Sequence, residues 1–242
     1  MSALGQDPAP IEVLVCDDGS GDDTAERFRA WEARDPRVRY IRVEPNRGTP
    51  SPARNAGARA ARGEWLAFLD DDDEWMPGKL AAQLAHVDEA DVIGTNAERT
   101  TGGLYFPDAP PVQRLGRAEI LAVNPLIQSS ALARRDALLA AGGFPEQRWM
   151  RALEDYGAWL AMADRGARFL VLGEPYVRYT THGDERFSAS APLRVERALA
   201  RLAWSRAARR PADLQLWRAA LNKTAGVALT AARRRRPTRR SR

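Results

Sequence analysis

Cysteine occurs once in this sequence, at Cys16, and histidine twice, at His86 and His182. A single thiol cannot close a disulfide within the chain, and so few Cys and His side chains exclude a Cys/His zinc cluster. Cys16 ends the stretch IEVLVC, which suits a buried strand thiol. No apolar run approaches the roughly 18–20 residues of a membrane span, and the opening MSALGQDPAP has neither a basic start nor an apolar leader core. A cytoplasmic protein is therefore the expectation. The net charge of +5 is mainly a property of the last ten residues, RRRRPTRRSR, which hold seven arginines and no acid. A basic run alone is a nonspecific signal and no nucleic-acid module accompanies it, so no nucleic-acid partner is expected.

With 242 residues and 44% hydrophobic content the chain suits one main globular domain. Short apolar runs alternate with amphipathic stretches through the first two-thirds, the pattern of an α/β domain with a mostly parallel central sheet. Strands are expected at Ile11–Cys16, Val38–Val43, Glu64–Leu69 and Asp91–Ala97, and in the pieces RFLVL and YVRYT. Helices are expected at Thr24–Arg34, at Ala53–Arg62, from Pro77, in DALLAAGGF and at Leu153–Gly166. The Gly- and Pro-rich stretch from Thr100 to Pro111 reads as a surface loop, and LIQSSALARR as extended. Beyond about Ala191, Ala, Arg, Leu and Trp recur at helical spacing. The expected organisation is a domain over 1–190, a helical arm over 191–232 and a disordered arginine tail over 233–242.

Two acid clusters follow strands. Asp17 and Asp18 come after the first, and Asp70, Asp71, Asp72 and Asp73 after the third. In open α/β sheets ligands bind outside the carboxyl ends of the strands, so both clusters point to one crevice. Crowded carboxylates repel and raise one another's pKa unless a cation or a donor-rich ligand compensates. An oxygen-only cluster suits Mg²⁺ or Mn²⁺, and Mg²⁺ commonly takes one or two carboxylates and completes its shell with substrate phosphates. Asp22 and Asp23 read instead as solvated or helix-capping acids.

The segments VLVCDDGSGDDT, NRGTPSPARNAGARAARGEWLAFLDDDDEWMPGKL, AGGF, LEDYGAWL and YVRYTTHG, in that order from about Ile11 to Ser188, resemble the successive motifs of the family 2 inverting glycosyltransferases. The resemblance implies a GT-A nucleotide-sugar-binding fold and a metal-dependent inverting transfer from a nucleoside-diphosphate sugar to a hydroxyl acceptor, in polysaccharide or glycoconjugate assembly. It implies that Asp17 and Asp18 contact the donor nucleoside, that Asn46 and Arg54 line the nucleotide pocket, and that Asp71 faces the ribose while Asp70 supports the site. Asp72 becomes the metal ligand and Asp155, of the pair Glu154-Asp155, the catalytic base. Without the resemblance Asp155 reads as an acid at a helix N-terminus, favoured by the helix dipole. His182 matches a histidine that several relatives place near the diphosphate or metal; an ordinary loop histidine is the alternative. Trp65, Phe68 and Trp75 read as core or pocket wall.

Family members begin with an apolar strand and a Pro-Thr-Tyr-Asn-like turn, whereas SALGQDPAPIEVLV resembles only the end of the helix that follows them. The expectation is a start set too far downstream; the alternative is a truncated, noncatalytic protein. A nucleotidyltransferase is a further alternative, since such enzymes share parts of the fold. The C-terminal arm reads as two helices packing on the domain, or as a peripheral contact with an anionic membrane, at whose inner face a lipid-linked acceptor would lie.

Overall fold

The computed structural model describes residues 2–181 and 192–235. The chain forms two compact units, one of Met1–Arg148 with Glu154–Thr181, the other of Trp149–Leu153 with His182–Arg242. The second unit thus includes a short piece, 149–153, that the sequence reading assigned to the main domain.

In the first unit β1 (Val13–Asp17) and β2 (Val38–Arg42) pair in parallel, joined through α1 (Thr24–Glu32). A second sheet holds β3 (Trp65–Ala67), β4 (Glu74–Trp75), β5 (Val92–Arg99), β6 (Val112–Leu115), β7 (Leu132–Arg134) and β8 (Phe169–Tyr179). Its order is β3-β7-β5-β8-β4, with β6 also paired to β8. The long β5–β8 pairing is parallel, whereas the short pairings of β3 and β5 with β7, and of β4 and β6 with β8, are antiparallel. The sheet is therefore mixed, with its longest pairing, β5–β8, in the expected parallel sense. β5 lies between β7 and β8 and is buried continuously from Val92 to Ala97, as a strand covered on both faces must be.

Helices α2 (Ser51–Ala60), α3 (Lys79–Leu84), α4 (Arg117–Ala122), α5 (Arg135–Ala140) and α6 (Glu154–Ala163) complete this unit. Pro77 does not open α3: Gly78, in a left-handed conformation with φ of 82°, turns the chain first and Lys79 starts the helix. RFLVL and YVRYT form one strand rather than two, and β6 and α4 lie where the sequence pattern is weakest. Phe68, Phe144 and Trp159 meet edge to face beneath the carboxyl end of β3, with ring centroids 5.3–6.3 Å apart.

The small residues of α2 let it approach β1 closely. Ser51, Pro52, Ala53, Asn55, Gly57 and Ala58 are all buried. A Cβ on Gly57 would lie 2.5 Å from Cys16 Sγ, so the thiol fills the space a side chain would need. Burial in that contact pushes the Cys16 thiol up to about 11.

In the second unit α7 (Pro192–Arg209) and α8 (Leu214–Arg235) pack on each other, and Leu202, Ala207, Leu216 and Ala220 on them are buried. Trp204 stands edge-on to Trp217 at 5.5 Å and donates its indole N–H to Thr224. The helix runs three residues past the expected end of the arm at 232, and 236–242 lie outside the described residues.

The Gly57 contact is testable. In a helix interior Gly→Ala ordinarily gains up to about 1 kcal/mol, but overpacking costs about 1–3 kcal/mol. Gly57→Ala should therefore lower Tm in differential scanning fluorimetry, and adding Cys16→Ala should restore it. A single variant that melts higher than the wild type would show that the thiol yields without cost.

Candidate active site

The carboxyl ends of β1 and β3 each carry one of the acid clusters. At the end of β1 the two neighbouring aspartates have different environments. Both oxygens of Asp17 are engaged within the chain. Oδ1 accepts the Ser20 N–H at 2.8 Å and the Ser20 hydroxyl at 2.6 Å, while Oδ2 accepts the Tyr40 hydroxyl and faces the Arg42 guanidinium at 3.4 Å. Burial works against its charge, but the Ser20 and Tyr40 bonds outweigh that and hold its pKa below the usual range. Asp17 thus staples the Asp-Gly-Ser turn to β2. Asp18 differs: its Oδ1 is buried with no hydrogen-bond partner, and burial raises its pKa despite the Arg47 N–H. Beside it a cleft of about 440 Å³ is lined by Gly19, Glu44, Pro45 and Asn46. Asn46 is exposed, and its Oδ1 accepts the Gly48 N–H at 2.7 Å.

The second cluster is organised by Arg54. From the first turns of α2 its guanidinium donates to Asp70 Oδ1 at 2.6 Å and to Glu154 Oε1 at 3.3 Å, and lies 5.7 Å from the Phe144 ring centroid. Burial alone would weaken its charge; the carboxylates of Asp70, Glu154 and Asp155 outweigh that and raise its pKa. One side chain therefore ties the end of β3 to the start of α6. The next residue, Asn55, fixes the AGGF turn. Its amide donates to the Phe144 carbonyl at 2.8 Å and its carbonyl accepts the Phe144 N–H at 2.8 Å. A Cβ on Gly143 would lie 2.5 Å from Asn55 Oδ1, so the motif needs glycine there.

Asp155, at the start of α6, receives the Asn124 side-chain amide on Oδ2 at 2.9 Å, and Asn124 Oδ1 is itself held by the Leu126 N–H at 3.2 Å. Burial pushes the Asp155 carboxyl up to about 6 and the neighbouring Glu154 charge adds to it; the Tyr156 N–H, Arg54 and Asn124 oppose the shift. A carboxyl poised near 6 is matched to proton abstraction near neutral pH.

Asp71 and Asp72 are exposed at the rim. Thr180 braces the run from the end of β8, donating its N–H to Asp73 Oδ1 at 2.8 Å and its hydroxyl to the Asp72 carbonyl. Burial raises the pKa of Asp73, and the charges of Asp72 and Asp70 add to that. Among the described residues no three Asp, Glu, His or Cys side chains converge on a point that could hold a cation. The donor chemistry at Asp72, a hard oxygen on an exposed carboxylate, nevertheless fits Mg²⁺ or Mn²⁺ shared with phosphate oxygens, which needs only one or two protein ligands. His182 lies outside the described residues.

The site residues expected from the sequence are Asp17, Asp18, Asn46, Arg54, Asp70, Asp71, Asp72 and Asp155 together with His182. The structure brings Arg54, Asp70 and Asp155 together and puts Asp18 and Asn46 beside one cleft. It also adds Asn124 and Ser129, which sequence reading missed. Ser129 Oγ accepts the Asp70 N–H at 3.0 Å, and its carbonyl accepts the Trp75 indole N–H at 2.8 Å. The signal available was the cluster of polar residues in NPLIQSS, set between α4 and β7.

An α/β sheet with acids at the carboxyl ends of its strands, and solved structures that superpose on most of the chain, define the GT-A class. Staphylococcus aureus TarS in complex with UDP-GlcNAc superposes with a TM-score of 0.61, at 23% identity, over 79% of this chain and 56% of that one. The mannosyltransferase PcManGT of Pyrobaculum calidifontis, in complex with GDP-Man and Mn²⁺, superposes with a TM-score of 0.60, at 21% identity, over 91% of this chain and 66% of that one. The Glycosyl transferase family 2 model matches residues 1–142, and the chain belongs to that family. It is 47% identical over 140 residues to the succinoglycan biosynthesis protein ExoO of Rhizobium meliloti, covering 56% of this chain and 38% of ExoO. It is 42% identical over 84 residues to the Escherichia coli UDP-Glc:alpha-D-GlcNAc-diphosphoundecaprenol beta-1,3-glucosyltransferase WfgD, covering 35% of this chain and 32% of WfgD. The chain thus spans about a third of the length of these two relatives.

The environment of Asp155 has a consequence for stability. Its folded-state pKa of about 6 lies above the ordinary carboxyl value, so the folded protein binds that proton more tightly than the unfolded chain. The group's contribution is present below about pH 4 and is lost as pH rises through about 6. Asp155→Asn should therefore raise Tm at about pH 7.5 and leave it nearly unchanged at about pH 4. A variant that melts lower than wild type at about pH 7.5 would contradict the buried, disfavoured charge.

Proposed function

We propose that this chain carries the catalytic site of an inverting, metal-dependent glycosyltransferase that moves a sugar from a nucleoside-diphosphate donor to a hydroxyl acceptor. The observation that carries the reading is the Arg54 junction, which gathers Asp70, Glu154 and Asp155 at the strand edge beneath the exposed Asp71 and Asp72.

Asp18 is the donor contact at β1, because its buried unpaired oxygen is completed by a ribose or base donor. Asn46 and the cleft beside Gly19 receive the nucleoside, and Asp71 faces the ribose. Asp17 serves the turn itself. Asp72, with His182 as a second candidate, holds the divalent cation together with the donor diphosphate; bound there, that ion supplies Lewis-acid stabilisation of the negative leaving group. Asp155, ionised and held by Asn124, takes the proton of the acceptor hydroxyl. The acceptor oxygen forms the new bond to the anomeric carbon as the bond from that carbon to the diphosphate oxygen breaks. A single displacement inverts the configuration and needs no covalent enzyme intermediate.

A role in polysaccharide or glycoconjugate assembly is supported by ExoO, described as a succinoglycan biosynthesis protein, and a lipid-linked acceptor by the diphosphoundecaprenol in WfgD's description. Among the described residues no helix is long and apolar enough to cross a membrane. The arm of α7 and α8, with Trp204, Leu214 and Leu221 exposed, is the surface proposed for peripheral contact at the inner membrane face.

Incubated with Mn²⁺ and a panel of nucleotide sugars, the protein should release nucleoside diphosphate from one of them. Asp72→Ala and Asp155→Asn should each slow release by about 100-fold or more. Equal rates in wild type and variants would contradict the mechanism, and release of pyrophosphate would point to nucleotidyl transfer instead.

A further inference from the structure

We propose that Gln128 is a sugar-binding residue of this site, its carboxamide pairing with a hydroxyl of the bound substrate. The inference rests on the glycosyltransferase reading above and deepens it.

The fold places Gln128 at the strand edge. β7 runs antiparallel to β3, with Leu132 opposite Ala67. Residues before Leu132 therefore lie beyond the carboxyl end of β3, where the acids are. The Phe68 N–H bonds to the Ala131 carbonyl at 3.0 Å, and the Asp70 N–H to Ser129 Oγ at 3.0 Å. Gln128 is the next residue out. The segment is also anchored on both sides of it: Asn124 holds Asp155 and Ser129 holds Asp70. Gln128 thus sits on a short strap between the proposed base and the acid run.

Its side chain is the exception within that strap. Asn124, Ser129 and Ser130 all have hydrogen-bond partners, Ser130 Oγ donating to the Ile127 carbonyl at 2.8 Å. Gln128 is only 7% exposed, yet its Nε2 and Oε1 are both buried with no partner. Its backbone is not at fault, since its carbonyl accepts the Ala131 N–H at 3.1 Å. Buried polar atoms without partners are uncommon and mark places that a ligand or an ordered water completes. Among the described residues, two carboxylate oxygens share that condition, Asp18 Oδ1 and Glu154 Oε2, both at the candidate site; the Trp159 indole N–H shares it too, but within the aromatic cluster of Phe68 and Phe144.

The chemistry of the amide selects the ligand. A neutral carboxamide offers donors on one side and an acceptor on the other. A phosphate would leave the acceptor unmatched and a cation would leave the donors unmatched. A sugar hydroxyl both donates and accepts, so one hydroxyl or a vicinal pair satisfies both atoms. The hydroxyl could belong to the donor sugar or to a sugar acceptor, and the experiment separates the two.

Gln128→Leu removes the amide at similar length, and Gln128→Glu keeps the shape while removing the donors. Because the amide has no partner in the free protein, Gln128→Leu should melt no lower than wild type. Calorimetry would compare binding of the bare nucleoside diphosphate with binding of the nucleotide sugar that the wild type turns over. A loss of about tenfold or more in nucleotide-sugar affinity, with the bare diphosphate unaffected, assigns Gln128 to the donor sugar. Unchanged donor affinity with an acceptor KM raised by about tenfold or more assigns it to the acceptor. Both quantities within about twofold of wild type in either variant would overturn the proposal and leave a water as the partner. Should Gln128→Leu fail to fold, the same comparisons on Gln128→Glu decide. A wild type that releases no nucleoside diphosphate would overturn the underlying reading and this inference with it; an active wild type with indifferent Gln128 variants would overturn the inference alone.

Discussion

One largely enclosed cation holds the candidate site together, its side chain 15% exposed. The Arg54 guanidinium bonds to Asp70 and Glu154 and reaches Asp155 electrostatically. Without it three carboxyl groups from β3 and α6 would share a low-dielectric space, where mutual repulsion is strong. With it, two of the acids become fixed structure. The planar fork of arginine suits this task, since it bonds two carboxylates at once and keeps its charge when buried. Breaking such a pair leaves an uncompensated charge inside, which is why removing one partner of a buried pair costs far more than an exposed pair contributes.

This arrangement separates acids tied into the fold from acids set at the edge of the candidate site. Asp17 is saturated by Ser20, Tyr40 and Arg42, and Asp70 is tied to Arg54 through Oδ1. Asp18 keeps an unpaired buried oxygen, Asp155 is held in a single orientation by Asn124, and Asp71 and Asp72 stand at the rim. The cost of drawing the Asp155 carboxyl away from water is a raised pKa, the same property that suits it to abstract a proton. Stability and chemistry pull in opposite directions at this residue, a tension expected where a site is preorganised.

Much of this was legible in the sequence because it rests on local chemistry. The apolar run before each acid cluster announced a strand with its carboxyl end at a crevice, and Arg54 and the pair Glu154-Asp155 stood out within recognisable segments, whereas Asn55 did not. The relation between neighbours was not legible. Ser20, three residues on, is the one local partner that tells Asp17 from Asp18; the rest of their difference comes from Tyr40 and Arg42 on β2 and from which oxygen each burial isolates. Asn124, Gln128 and Ser129 escaped for a similar reason: NPLIQSS acquires its role only when β7 pairs antiparallel to β3 and returns the chain to the acid edge. β6 and α4, with Val112–Leu115 largely exposed, lack a hydrophobic period strong enough to be read.

The claim that a largely enclosed arginine governs these acids is tested most directly by following the Asp155 carboxyl carbon by ¹³C NMR as pH is varied. The account predicts a midpoint near the value of about 6 that burial imposes, and a higher midpoint in Arg54→Gln, where the opposing positive charge is gone. A midpoint near the ordinary value of about 4, unchanged by the substitution, would contradict it.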